Sequence, residues 1–321
     1  MKNYNVLLKL ITFLADGRYY SNEQLEKYLG INCRTINNYI QFLKIWGLNI
    51  YHISGKGYIL SSPFQLLNKK EILPYINLSK QNISIIPIIN STNQYLLDRI
   101  DTLSSGDVCI SEYQKEGRGR RGKIWFSPFG VNLYLSMYWC FKQKPVTTIG
   151  LSLIIGIVIT EVIQSLGVPN IKVKWPNDIY LYDRKLAGIL VEVSGKIDDI
   201  VQVVIGVGIN LAMNTTGVIE IHQDWISLKE LGMTIDRNKL SVKIINNLQK
   251  SLYFFEKNGL TPFISRWKIL DNCMNRSVKL ITETHEIYGI ARGIDKQGRL
   301  LLDQNGKIST WIDGEISLRV K

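Results

Sequence analysis

Between residues 117 and 123 the chain reads Gly-Arg-Gly-Arg-Arg-Gly-Lys, three glycines among four cations. Glycine lets a backbone approach a ligand closely and clustered cations attract an anion, so the segment suits an anionic group. It lacks the G-x-x-x-x-G-K-[ST] spacing of a P-loop and its magnesium-binding hydroxyl, which leaves Walker-type phosphoryl transfer unsupported. Trp125, Phe126 and Pro128 follow at once. A cationic strip beside an apolar wall fits a partly apolar ligand with an anionic end. A solvated basic loop would show the same composition.

A second constellation is Lys174-Trp175-Pro176-Asn177-Asp178, with Lys185-Leu186-Ala187-Gly188 after a further six residues. The spacing predicts a tight hairpin: Ile171 to Trp175 leads to a turn carrying Asn177 and Asp178, and Leu186 to Val193 returns antiparallel with Lys185 at its start. A carboxylate that attacks the α-phosphate of ATP must be brought against another anion, and a lysine between them offsets the repulsion. A hairpin with a polar tip is the plainer alternative.

Ser91-Thr92-Asn93-Gln94 has the S-x-x-Q form of a capping box, a sufficient structural reason for these residues. Their hydroxyls and amides, with Gln114, would also suit a small polar ring. Gly206, Gly208 and Asn210 permit close backbone approach, and Trp225 can stack on a base. His52, His222 and His285 form no Ser-His-Asp or Cys-His arrangement, and no G-x-S-x-G elbow is present, which argues against a covalent enzyme intermediate. Cys33, Cys109, Cys140 and Cys273 are far apart, without metal-ligand spacing, and read as buried free thiols in a reducing cytoplasm. No bound metal is expected.

These residues need a scaffold, and 321 residues at roughly 100–200 per domain allow two or three domains. Hydrophobic residues at 45% and charged residues at 21% exclude a disordered or low-complexity chain. The net charge of +12 suggests a polyanionic partner, though a lysine-rich surface gives the same total. Division at Pro63 and Leu270 gives +4 (7 basic, 3 acidic), +7 (24, 17) and +1 (8, 7), so the excess lies in the first two segments. The apolar run from Ile149 to Thr160 is short of the ~20 residues a membrane helix needs. No secretory signal is visible, and a cytoplasmic location is expected.

In residues 1–63, Val6, Leu7, Leu10, Ile11 and Leu14 are at helical spacing, Ser21 to Gln24 caps a second helix, and Asn32 caps a third. Ile50 to Ile53 and Tyr58 to Leu60 flank Ser54-Gly55-Lys56-Gly57, the pattern of a two-stranded wing. Three helices and a wing resemble a winged helix-turn-helix. Arg34, Thr35, Asn37, Asn38 and Gln41 lie on the outer face of the third helix, toward base edges, and Lys56 toward phosphate. With Arg34 the only cation of that face, affinity per monomer would be modest, so a dimer would help. A small protein-interaction module would use the same helices. Residues 64–270 mix strands and helices, and residues 271–321 show short strands divided by turns, as in a small barrel. The class is α+β multidomain.

The motifs GRGRRGKIWFSPFG, KWPNDIYLYDRKLAGILVE, STNQYLLDRI and VGIN resemble those of the biotin-protein ligases. With the N-terminal winged helix, essentially the whole chain is similar to the bacterial members that also repress biotin synthesis genes. The resemblance implies a central domain related to class II aminoacyl-tRNA synthetases, with a mixed sheet and helices, and an SH3-like C-terminal barrel. It also implies formation of biotinyl-5'-adenylate from biotin and ATP with Mg2+, then transfer to a lysine of the biotin carboxyl carrier protein of acetyl-CoA carboxylase.

By the same resemblance Ser91, Thr92, Asn93, Gln114, Arg118, Gly119, Arg120 and Lys185 bind biotin. Lys185, Arg118 and Arg120 act in catalysis, and Arg121, Asn177, Asp178, Asn210 and Trp225 contact ATP or the adenylate. Lys279, Glu315 and Arg319 are contacts of the last domain. Homodimerisation with biotinyl-adenylate bound, through segments near 112–130, 142–148 and 195–201, would enable binding to operator DNA. Because a mixed anhydride hydrolyses in water, residues 117–123 are expected to order over the ligand. Two rivals stay open: a ligase whose winged helix no longer binds an operator, which a salt-dependent mobility shift with biotinyl-adenylate would reveal, and a biotin sensor without enzymatic activity.

Overall fold

The computed structural model describes residues 4–77, 81–142, 147–197, 200–213, 223–281, 286–312 and 317–320. Helices α1 (Tyr4–Leu14), α2 (Asn22–Leu29) and α3 (Cys33–Ile45) pack around Leu7, Leu10, Leu14, Leu25, Ile36 and Ile40, all buried. The Ser21–Gln24 capping box is complete, and the Asn32 side chain accepts from the Thr35 amide. Each cap satisfies a backbone donor that the helix leaves unpaired, which is why these helices start there. Strands β1 (Ile50–Ile53) and β2 (Gly57–Leu60) form the antiparallel wing.

A short helix α4 (Lys69–Ile72) leads to β3 (Ile83–Ile89), α5 (Thr92–Leu97), β4 (Val108–Gln114) and β5 (Leu133–Phe141). Then come α6 (Thr148–Gln164), β6 (Ile171–Lys174), β7 (Asp178–Leu181), β8 (Arg184–Ile197), β9 (Ile200–Ile209), α7 (Arg237–Asn258) and α8 (Ile264–Leu270). The seven strands form one mixed sheet in the order β3-β4-β5-β9-β8-β7-β6, with β3–β4 parallel and the other pairs antiparallel. Alternation along the strands divides its faces. Leu133, Leu135, Met137, Ile189, Ile205 and Val207 face the large core with α6 and α7. Tyr134, Gly188, Gly206 and Gly208, at the intervening positions, line a cavity on the opposite face.

The return after Asn177-Asp178 differs from the two-stranded hairpin expected from the sequence. β6 pairs with β7, and β7 pairs with β8, so a third strand intervenes. Ile179 and Leu181 bury their side chains in the main core, which makes a strand of a stretch that had read as turn.

The C-terminal strands β10 (Ser277–Ile281), β11 (Glu286–Ile294), β12 (Leu300–Gln304), β13 (Lys307–Trp311) and β14 (Ser317–Val320) form an antiparallel sheet ordered β13-β12-β11-β10-β14. Its buried Val278, Leu280, Ala291, Leu300 and Leu302 belong to the same apolar cluster as the central sheet. The Trp175 indole donates to Gly298 O at 3.0 Å across that join. The N-terminal helices keep a separate core, which receives Phe129 from the central part of the chain. No helix among the described residues is long and apolar enough to cross a membrane. Of the four thiols, Cys109 and Cys273 are buried, but Cys33 and Cys140 are only half-buried, which corrects the expectation for those two. Burial pushes the Cys109 and Cys273 thiols up to about 12, so neither is a nucleophile at neutral pH.

Candidate active site

The glycine-rich segment folds as a small hairpin. Arg118 pairs with Ile124, the Gly119 amide donates to Lys123 O at 2.6 Å, and the Trp125 amide donates to Gly117 O at 2.8 Å. Its tip is a turn of 3-10 helix over Arg120–Gly122, with Arg121 at φ 56° and Gly122 at φ 71°. Gly117 is required for closure, since a Cβ there would meet Trp125 O at 2.3 Å. The hairpin covers a cavity of about 280 Å³ whose lining includes every residue that the family resemblance assigned to biotin, ATP or the adenylate.

The inner end of the cavity is neutral and polar. Gln114 Oε1 accepts the Thr92 amide at 2.9 Å and lies 3.1 Å from the Thr92 hydroxyl, while its amide nitrogen donates to Ser127 Oγ at 3.0 Å. Ser136 Oγ lies 2.7 Å from Thr92 Oγ1 and donates to Asn93 Oδ1. Asn93, from α5, packs against β9 where Gly206 leaves room, a Cβ there falling 2.4 Å from its oxygen. Its amide nitrogen donates to Glu192 Oε2 at 2.7 Å, so its hydrogen bonds bind protein to protein. Ser91 caps α5 by accepting from the Gln94 amide, but the Gln94 side chain turns to Asp98, with 2.6 Å between their polar atoms. The expected box is therefore half made, because Gln94 Oε1 also accepts from Arg118 Nη1 at 2.6 Å.

The mouth is cationic. Lys185 Nζ lies 2.9 Å from Asp178 Oδ1 and 5.6 Å from the centroid of the Trp125 ring. Arg120 Nη1 donates to Asn177 Oδ1 at 2.9 Å, and Asn177 Nδ2 donates to Ile189 O at 2.8 Å. Burial pulls the Arg120 guanidinium below its usual value; the Asp178 carboxylate opposes that shift and Arg121 adds to it. Lys185 also pairs with Trp225 through the backbone: its amide donates to Asp224 O at 2.9 Å and its carbonyl accepts the Ile226 amide at 3.0 Å. Asn210, buried, donates from its own amide to Leu186 O at 2.9 Å on the same rim. The Trp125 ring packs against Gly188 and Gly208, where added Cβ atoms would fall 2.9 and 2.5 Å from it. Tyr134 completes the wall and donates to Pro128 O at 2.9 Å; burial raises its pKa far above the usual range, so it stays a donor.

Sequence reasoning missed Glu192, Ser127 and Ser136, which hold the others. Glu192 follows Gly188 and Leu190 at period two, the one signal that would have placed it on the cavity face. The Asn214 to Gly217 stretch that precedes Trp225 lies outside the described residues, as do Glu315, the Arg319 side chain and parts of the 142–148 and 195–201 segments. Among the described residues no group of three or more His, Cys, Asp and Glu side chains is placed to hold a metal ion.

In the N-terminal unit Arg34, Asn38, Gln41 and Lys56 are exposed. The Thr35 hydroxyl donates to Asn32 Oδ1 at 2.9 Å, and Asn37 Oδ1 accepts from the Tyr58 hydroxyl. Those two side chains thus serve the fold on the face expected to meet DNA.

Residues 85–210 match the Biotin/lipoate A/B protein ligase family, residues 274–319 the Biotin protein ligase C terminal domain, and residues 6–59 an HTH domain. The chain is 55% identical over 319 residues, 99% of each chain, to the "Bifunctional ligase/repressor BirA" of Escherichia coli. It is 31% identical over 244 residues, 74% of this chain and 88% of the other, to the "Biotin--[acetyl-CoA-carboxylase] ligase" of Mycobacterium tuberculosis. Among solved structures, the biotin protein ligase from Aquifex aeolicus in complex with biotin and ATP superposes with a TM-score of 0.66 at 26% identity, covering 75% of this chain and 99% of that one. The chain belongs to the biotin protein ligase family, in the branch that joins an N-terminal helix-turn-helix to the ligase unit.

Proposed function

We infer that the protein joins biotin to a lysine of the biotin carboxyl carrier protein of acetyl-CoA carboxylase and, through its helix-turn-helix, represses biotin synthesis genes. One observation carries the ligase reading: a single cavity has a neutral hydrogen-bonding end at Thr92, Asn93 and Gln114 and a cationic mouth at Lys185 and Arg120. Biotin has that polarity, with a neutral ureido ring at one end and a carboxylate at the other. The carboxylate oxygen attacks the α-phosphorus of ATP, a C–O–P anhydride forms, and pyrophosphate leaves. The carrier lysine then attacks the acyl carbon, an amide forms, and AMP leaves.

Lys185 is suited to sit between the two anions, because Asp178 holds its ammonium at the mouth while leaving it facing the cavity. Arg118, Gly119 and Arg120 cover the ligand; Ser91, Thr92, Asn93 and Gln114 shape the biotin end; Arg121, Asn177, Asp178, Asn210 and Trp225 border the adenylate. Mg2+ enters with ATP as counter-ion of its phosphates and so as part of the substrate. No nucleophile of the enzyme itself takes part.

The same reading assigns residues 1–63 to a winged helix-turn-helix, 64–270 to a ligase domain of the class II synthetase type and 271–321 to an SH3-like unit. It takes the adenylate-bound protein as a homodimer, with Arg34, Asn38, Gln41 and Lys56 toward operator DNA; two half-sites compensate for the few cations on α3. Biotin-dependent exchange of pyrophosphate into ATP tests the first chemical step. Exchange should require biotin, and biotin-independent or absent exchange contradicts the assignment.

A further inference from the structure

Glu192 is not among the residues that chemistry alone would place in such a site. It stands on β8 in the cavity-facing row after Gly188 and Leu190, opposite Val204 of β9. Its carboxylate is the meeting point of three elements. Arg118 Nη2 donates to both carboxylate oxygens at 3.1 Å from the stem of the glycine-rich hairpin. Asn93 Nδ2 donates to Oε2 at 2.7 Å from α5. Arg118 Nη1 closes the triangle by donating to Gln94 Oε1 at 2.6 Å.

The two ends of the hairpin are therefore tied differently. Arg120 at the tip goes to Asn177 beside the cationic mouth, and Arg118 at the stem goes to the sheet beside the neutral end. Arg118 is also the residue whose backbone pairs with Ile124, so anchoring its side chain holds the stem in place over the neutral end. Hydrogen bonds between charged groups are strong and directional, but the side chains are 37% and 29% exposed, so water and salt weaken the pair. A tie of that strength alters how long a lid stays shut without deciding whether it can shut.

We propose that Glu192 is a positioning residue of the ligase: by anchoring Arg118 and Asn93 it holds the hairpin over the biotin end of the cavity and sets the residence time of biotin and its adenylate, without entering the bond-making steps. The inference rests on the ligase reading. Full-length wild type, E192Q, R118Q and the double variant test it through the biotin Kd measured without ATP and the dissociation rate of preformed biotinyl-adenylate. E192Q should weaken biotin binding and speed adenylate loss about tenfold, about the effect of one charge-assisted tie. Its KM for ATP and its exchange kcat at saturating biotin should stay within about twofold of wild type. The double variant should lose less biotin affinity than the two single losses added together, because the Arg118–Glu192 tie is removed in both.

Unchanged biotin affinity and adenylate lifetime in E192Q would overturn the proposal. So would additive losses in the double variant, or equal weakening of biotin and ATP accompanied by a lower Tm of the ligand-free protein, the pattern of a merely structural residue. Wild type that binds biotin but exchanges no pyrophosphate would remove the ligase reading while the biotin Kd still reports on the tie. A wild type that does not bind biotin would remove both.

Discussion

A mixed anhydride is useful only if it is held dry, and the proposed function gives that duty to single residues at the cavity mouth. Arg120 reaches from the hairpin tip to Asn177, which is itself tied to Ile189 O, so its guanidinium bridges lid and sheet. Arg120→Gly should therefore release biotinyl-adenylate into solution, seen as labelling of bystander proteins at least about tenfold above wild type; selectivity equal to wild type would count against this role. Asp271, in the turn between α8 and β10, shows the opposite balance of forces. Burial raises its pKa to about 6, although the Cys273 amide at 2.8 Å and the Trp267 indole at 3.1 Å favour its charged form. A carboxyl whose folded value lies above the unfolded value of 3.8 contributes stability while protonated and loses it as pH rises through both values. Raising the pH from about 4 to about 6.5 should thus cost about 2 kcal/mol at this group. Titration of its carboxyl carbon by NMR should show a midpoint well above that of Asp303, whose pairing with Arg292 and the Gly306 amide holds it below the usual range; coincident midpoints would contradict the burial argument.

At the scale of elements, the segment after the hairpin joins the ligand cavity to the N-terminal unit. Trp125 and Phe126 line the cavity, and three residues on, Phe129 is fully buried in the N-terminal core. Its ring is stacked 5.9 Å from that of Trp46, and its amide donates to Trp46 O at 2.9 Å. Phe129→Ala should cost about 3–5 kcal/mol by emptying that site, and chemical denaturation should show the loss in the N-terminal helices first; an unchanged midpoint would refute the interlock. Much of this level was legible in the sequence. The caps at Ser21 and Asn32, the wing and the glycine-rich loop announce themselves because local hydrogen bonding and backbone freedom decide them within a few residues. β7 was hidden because a single turn at Asn177-Asp178 seemed enough to reverse the chain, while Ile179 and Leu181 become strand residues only by packing on distant α6, with the second turn at Tyr182-Asp183. Glu192 was hidden because one acid in an alternating strand reads as a solvent-facing position.

Across the whole molecule, apolar clusters and polar ties between residues distant in the chain hold the elements in register. The C-terminal sheet shares its core with the central sheet, and the buried pair of Arg237 and Glu112, 2.7 Å apart, ties β4 to α7. Those partners lie 125 residues apart, and no local signal in one sequence pairs them. That framework sets Lys185 and Asp178 at one mouth with Arg120, where the account requires two anions to meet. The most direct test of that requirement is transfer of biotin to the lysine of an isolated carrier domain by wild type and by Lys185→Ala, with Tm measured on both. Wild type should transfer efficiently, and the variant should lose about 100-fold or more at a nearly unchanged Tm. Transfer by Lys185→Ala within a few-fold of wild type would contradict it.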